Sequence, residues 1–221
     1  MGLMRLIKDY FSSAQTILKS GLESPEDFES ALDELDILAD RLHDLVEKRA
    51  PYLLKEDTTP ISLHAEVASE SIGTSTLSGS SLSAALIQRD QYSIAVAKAL
   101  SVAAVEGGEE TTSVATFTST PGADFSFTKV ETFSGENFDA AAEMVFAIDF
   151  GFLEMSGIEI LREANQLADT LRTDIDEGNV ATVEIDLVAA GDDTAITTEI
   201  DAMVIADLLS STSVSADLHI A

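Results

Sequence analysis

The hydrophobic period of this 221-residue chain changes near Pro60, from that of a helix to that of a strand. Ahead of that point Leu3, Ile7, Tyr10, Ala14 and Ile17 recur at 4-3-4-3 spacing, which lays them along one helix face. Gly21 is a stop signal. Ser24, Pro25, Glu26 and Asp27 are a start signal: Ser24 can cap, Pro25 suits the first helical position, and Asp27 sits where a capping-box acid would. Phe28, Ala31, Leu35, Leu38, Leu42 and Leu45 then step by threes and fours until Pro51 ends the helix. Residues 1–50 therefore read as a helical hairpin, packed on its own domain or serving as one arm of an intersubunit bundle. Leu35, Leu38 and Leu42 are the expected contact residues of that seam.

Residues 51–60 read as a linker. Beyond it Ile61, Leu63, Ala65 and Val67 alternate with polar residues, the pattern of a half-buried strand. Residues 73–83, rich in Ser, Thr and Gly, read as a loop or a weak strand. Residues 92–105 suit either a strand, by alternation, or a helix, by their many Ala, with the strand favoured, and residues 114–118 and 125–130 read as a hairpin around Thr120, Pro121, Gly122 and Ala123. In the next strand, residues 140–153, Met144, Phe146, Ile148, Phe150 and Phe152 fall on one face and Val145, Ala147 and Leu153 on the other, so that strand is expected to be central and covered on both sides. Residues 158–175 return to helical spacing through Leu161, Ala164, Leu167, Ala168, Leu171 and Ile175. Val183, Ile185 and Leu187 alternate again, Gly191-Asp192-Asp193 is a turn, and residues 196–209 read as a strand or as helical from Asp201. Val214, Ala216, Leu218 and Ile220 alternate to the end. That last strand is expected to dock in a sheet, in this subunit or a neighbour, which makes Leu218 and Ile220 further interface candidates.

The expected fold class is α+β: an N-terminal helical hairpin, then a mainly antiparallel β sandwich or barrel with one inserted helix near 158–175. The expected domains are a hairpin arm at 1–50, a linker at 51–60 and a β-rich body at 61–221. No fixed repeat supports a solenoid.

Charge describes the surroundings of this fold. The chain carries 40 Asp and Glu against 12 Lys and Arg, a formal net charge of −28, with acids spread from Asp9 to Asp217. Such a load repels itself unless counterions screen it. High Asp, Glu, Ala, Thr and Val with little Lys resembles the proteins of salt-in halophiles, notably haloarchaea and their viruses. The resemblance is compositional and spans the whole chain. The basic residues form no cluster, which argues against a nucleic-acid partner. There is no Cys for disulfides or thiolate metal sites. No apolar run approaches the ~20 residues of a membrane span, and residues 1–10 lack the apolar core of a signal peptide, so synthesis in the cytoplasm is expected.

Chemistry-bearing motifs are sparse. His43, His64 and His219 show no paired metal-ligand spacing, and no Gly-X-Ser-X-Gly elbow accompanies them. Acidic pairs at Glu109-Glu110, Asp174-Asp176-Glu177 and Asp192-Asp193 could each offer oxygens to a hard cation. Asp192 and Asp193 are the best metal candidates, since they sit at a tight turn. Asp149, inside an apolar strand, is a candidate acid with a perturbed environment. No cofactor motif appears; K+, Na+, Ca2+ or Mg2+ are expected only as diffuse or weakly bound cations. These features lead to the expectation of a non-enzymatic, self-assembling homo-oligomer: a virion capsid, tail or connector protein, or a filament or shell protein, with copies of itself and other structural proteins as partners. A soluble binding or adaptor module of a halophile is the alternative.

Overall fold

A computed structural model describes residues 2, 5–6, 9–10, 12–13, 25–54, 60–107, 111–153, 158–168, 175 and 178–220. Helix α1 spans Pro25–Arg49 and is followed by a single 3-10 turn at Pro51–Leu53. Ten strands follow: β1 (Ser62–Ile72), β2 (Ser75–Gln88), β3 (Tyr92–Glu106), β4 (Thr111–Ser119), β5 (Phe125–Ser134), β6 (Phe138–Phe150), β7 (Ile158–Ala168), β8 (Asn179–Ala190), β9 (Thr194–Ile205) and β10 (Leu209–Ile220). They form a four-stranded sheet ordered β4-β1-β10-β9 and a six-stranded sheet ordered β7-β5-β6-β3-β2-β8. Pairing is antiparallel except at β5–β7 and β2–β8, which are parallel. The chain is α+β and mainly β, and its two sheets do not close into a barrel.

Alternation on the central strands explains the three layers. Tyr92, Ile94 and Val96 of β3, with Phe146, Ile148 and Phe150 of β6, point to one side of the six-stranded sheet, where they meet Leu32, Leu35, Ala39, Leu42 and Val46 of α1. Ala95, Ala97 and Ala99 of β3, with Val145 and Ala147 of β6, point the other way and meet Leu63, Ala65 and Val67 of β1 and Val214, Ala216 and Leu218 of β10. Large side chains thus fill the deeper gap under the helix, and small ones let the two sheets close on each other. β6 is covered on both faces, as its apolar pattern requires.

The interior between the sheets changes character along its length. One half is aliphatic. The other is lined by Ser69, Ser71, Thr76, Ser78, Ser80, Ser101, Ser210 and Thr212, all buried. Several of these hydroxyls bond one another across the layers: Thr212 Oγ1 lies 2.7 Å from both Ser69 Oγ and Ser80 Oγ, and Ser78 Oγ donates to the Ser210 carbonyl at 2.9 Å. Pairing of this kind offsets the cost of burying a hydroxyl. Thr76 Oγ1 is buried with no hydrogen-bond partner among the described residues.

Several expectations are corrected. Residues 158–168 form strand β7, where an inserted helix was expected. Their register against β5 jumps from Ser126↔Glu159 to Phe127↔Leu161, so Ile160 is an extra residue in the ladder. The helical spacing of Leu161, Ala164, Leu167 and Ala168 lies beyond that bulge, in a segment paired residue by residue with β5 from Phe127 to Ser134, so the ladder overrides the local period. Residues 114–118 and 125–130 do not pair as a hairpin, because β4 and β5 belong to different sheets. Residues 73–83 belong to a full strand, β2, and residues 201–205 are strand and not helix. The helical residues at 5–6, 9–10 and 12–13 place Leu6 and Tyr10 in the layer under α1. The turn expected at Gly21 lies outside the described residues.

Candidate functional site

The five expected interface residues lie within the chain's own layers. Leu35 and Leu42 are buried beneath α1, and Leu38 packs half-buried at the border of the same cluster. Leu218 and Ile220 are buried between the sheets on β10, which pairs with β1 on one side and β9 on the other. The surface that remains uncovered is the next strand out.

β9 is the last strand of the four-stranded sheet, and among the described residues it is bonded only to β10. Its residues Ile196, Thr198, Ile200, Ala202 and Val204 stand opposite Leu218, Ala216, Val214, Thr212 and Ser210 of β10, all of them buried. The two sets share one face of the sheet. Yet Ile196, Ile200 and Val204 are 42–53% exposed, because β8, the outermost strand of the other sheet, covers this part of β9 only in part. On the opposite face Met203 and Ile205 are equally open. β8, the edge of the six-stranded sheet, stands over this overhang with Val183, Ile185, Leu187 and Ala189 half-buried. The result is an open, apolar side of the sandwich bordered by two unpaired strand edges.

The frame around this opening is fixed at both ends. At one end, Gly191-Asp192-Asp193 carries the chain from β8 across to β9. Gly191 has φ +149°, and a Cβ there would stand 2.6 Å from Gln88 Cβ, so only glycine fits. The Asp192 N–H donates to Gln88 Oε1 at 3.1 Å, and Asp193 takes the left-handed conformation at φ +53°. At the other end, the Asn179 side-chain amide donates to the carbonyls of Ile205 at 2.7 Å and Leu209 at 3.2 Å, joining the start of β8 to the β9–β10 turn.

The acids of the Gly191 turn lie apart from any compact ligand set. Asp192 lines an open groove of about 590 Å³ with Asp36, Asp40, Asp90 and Arg89. Among the described residues, the group of three ligating side chains close enough for one ion is His43, Asp44 and Glu47 on α1. Asp44 there is held by Lys48 at 3.0 Å. Glu109, Glu110, Asp174, Asp176 and Glu177 lie outside the described residues. Asp149 is buried at the register position opposite Ser93, and the carboxylate of buried Asp124 accepts the Phe150 N–H at 3.0 Å.

The histidines separate. His43 packs edge-on against Phe152, with ring centroids 4.9 Å apart. His219 sits on the solvent face of β10. His64 has the richest setting: Nδ1 lies 2.8 Å from Asp217 Oδ1 and Nε2 3.1 Å from Glu66 Oε1, with Phe117 edge-on beside it. Partial burial pulls its pKa down, but the hydrogen bonds to Asp217 and Glu66 outweigh this and hold it above the ordinary imidazole value. Ser119 stands opposite His64 in register, yet Nε2 is engaged by Glu66, which is not the arrangement of a nucleophilic triad. Deeper in, the Tyr92 hydroxyl lies 2.7 Å from Asp36 Oδ1 and 3.2 Å from the Leu32 carbonyl, pinning α1 to β3. Burial, then the Asp36 carboxylate, raise the Tyr92 pKa far above the phenol range, so it is a fixed donor.

Sequence reasoning took residues 196–209 for a strand or part-helix but missed that β9 is uncovered. The available signal was that its apolar residues fall on both faces: Ile196, Ile200 and Val204 on one, Met203 and Ile205 on the other. Comparisons with protein-family models, with curated proteins and with solved structures returned no match. No helix of the described residues is long and apolar enough to cross a membrane.

Proposed function

We propose that this chain is a non-enzymatic, self-assembling structural subunit that works in concentrated salt, in a virion, a filament or a shell. One observation carries the reading: a twelve-residue edge strand, β9, presents five large apolar side chains to solvent beside an open sandwich side. A long, apolar, unpaired edge is an aggregation hazard in a protein that works alone, and proteins that keep one use it for contact. The charge of −28 agrees with this, since it holds copies apart until salt screens them.

The test is sedimentation mass and electron microscopy of the purified chain at about 0.1 M and about 2 M KCl, where the Debye length falls from ~10 Å to below ~3 Å. Ordered assemblies in high salt are expected. A folded monomer at both concentrations, up to millimolar protein, would remove the proposal. It would favour the binding-module alternative, in which β9 receives a strand from a different protein.

A further inference from the structure

We propose that two copies of the chain join edge to edge through β9, antiparallel about a two-fold axis at Ile200, so that the four-stranded sheets of the pair become one eight-stranded sheet. This rests on the self-assembly reading and names the surface and the register it uses.

The choice of edge follows from composition. The other edge of the same sheet, β4, turns Thr111, Ser113, Ala115 and Phe117 outward, mostly small or polar. β9 carries Ile196, Ile200 and Val204 on one face and Met203 and Ile205 beside Glu199 and Asp201 on the other, and the Gly191 turn and Asn179 hold it in place against β8. A preset edge loses little entropy on pairing.

The register follows from side-chain matching. A two-fold perpendicular to the sheet pairs only residues of the same face, so the two residue numbers of each pair must sum to an even value. A sum of 400 sets Ile196 against Val204, Ile200 against Ile200 and Thr198 against Ala202. Large apolar groups then meet large apolar groups. A sum of 398 sets Ile196 against Ala202 and Thr198 against Ile200, and a sum of 402 sets Thr198 against Val204. Both mismatch size and polarity, and cross-strand pairs are where sheet stability resides.

The area decides how strong the contact is. Twelve residues at roughly 3.3 Å each give an edge about 40 Å long; with a sandwich about 10 Å thick, each copy hides about 400 Å². The total of about 800 Å² falls short of the ~1,200–2,000 Å² of a stable stand-alone interface. The pair is therefore weak and concentration-dependent by itself. The outer face of the same register opposes Glu199 to Asp201, which makes it weaker still at low salt.

The chain has no cysteine, so single-thiol variants report the register directly. Ile200→Cys, Thr198→Cys and Ala202→Cys each replace an exposed residue; each is treated with a short thiol-to-thiol crosslinker in about 2 M KCl. Ile200→Cys should crosslink to itself at least about tenfold faster than either of the others alone, because only a residue on the axis meets its own copy. Thr198→Cys mixed with Ala202→Cys should form the mixed dimer at a comparable rate. Self-crosslinking at 198 or 202, or equal slow rates at all three, overturns the proposal. If large assemblies form while none of the variants crosslinks, the edge pairing falls and self-assembly stands. If the mass stays monomeric, both fall. As a second readout, Asp201→Lys places a Lys opposite Glu199 of the other copy and should tighten dimerisation at about 0.1 M KCl by several-fold. Weakening by this change would also count against the register.

Discussion

Thr212 is one of the points where hydroxyls join the two sheets, and its replacement by Val tests what that bridge contributes. Its side chain is 1% exposed and bridges Ser69 of β1, in its own sheet, and Ser80 of β2, in the facing one, at 2.7 Å each. Val keeps the branched shape and removes the oxygen. Two hydrogen bonds at about 1 kcal/mol net each are lost, and the buried Ser69 and Ser80 hydroxyls are each left with one partner fewer. The added methyl returns about 0.8 kcal/mol of apolar burial. The net expectation is a loss of about 1–3 kcal/mol. Urea unfolding in about 2 M KCl reads it as a lower midpoint with an unchanged slope. The triple variant Ser69→Ala, Ser80→Ala, Thr212→Val removes all three partners and leaves no hydroxyl stranded. It should lose less than the sum of the three single changes, since deleting a whole buried network is cheaper than breaking it. If Thr212→Val alone is as stable as the unmodified chain, the Ser69–Thr212–Ser80 bridge is incidental to the joining of the sheets.

Three further outcomes are expected. Leu35→Ala, at a fully buried site under α1, should cost about 2–5 kcal/mol, whereas Ile37→Ala on the solvent side of the same helix should shift stability by less than about 0.5 kcal/mol; equal effects would mean that α1 is not core. The melting temperature should climb steeply between about 0.1 and 2 M KCl as the Debye length contracts, and a flat profile would count against adaptation to salt. The pKa of His64 is raised in the folded state, so its stabilisation is complete below the unfolded value of about 6.5 and is lost as pH rises through the higher folded value. Compared with His64→Gln, the unmodified protein should therefore lose relative stability on going from about pH 6 to pH 8, and parallel pH profiles for the two would refute the assignment.

Legibility of the sequence followed the side chains that fill each interior. Where Tyr92, Ile94, Val96, Phe146, Ile148 and Phe150 face a helix, alternation is strong, and the central, doubly covered strand could be read directly. Where the interior is lined by Ser78, Ser80, Ser210 and Thr212, inward and outward positions look alike, and β2 blurs into a loop. A hydropathy pattern cannot mark a buried face made of hydroxyls, because their compatibility with burial depends on partners in distant strands. β7 was hidden because Leu161, Ala164, Leu167 and Ala168 step by threes and fours like a helix in a segment that pairs with β5 as a strand. The separation of β4 from β5 was hidden because Pro121 and Gly122 serve equally well in a turn between sheets and a turn within one. The uncovered edge was the least readable feature, since exposure of Ile200 follows from strand order and not from its neighbours in sequence.

The acids and the open edge belong to one physical account. In the β9 register two Glu199–Asp201 pairs face each other, and at about 5.5 Å in water each repulsion is only about 0.8 kcal/mol. Local acids therefore bias the contact without forbidding it. On the proposed self-assembly, what should keep copies apart in dilute salt is the whole charge of −28, acting over a Debye length of about 10 Å that is comparable to the ~17 Å radius of gyration of a compact chain of this length. Salt removes that long-range term almost entirely and leaves the short local one, while apolar burial at Ile196, Ile200 and Val204 is undiminished. Pairing through this edge should thus switch on over a narrow range of ionic strength. Neutralising acids far from β9, for instance Glu34→Gln and Asp33→Asn on α1, should move that range to lower salt without altering the register. A shift produced only by changes at Glu199 or Asp201 would place the barrier in the contact itself and would contradict the long-range account.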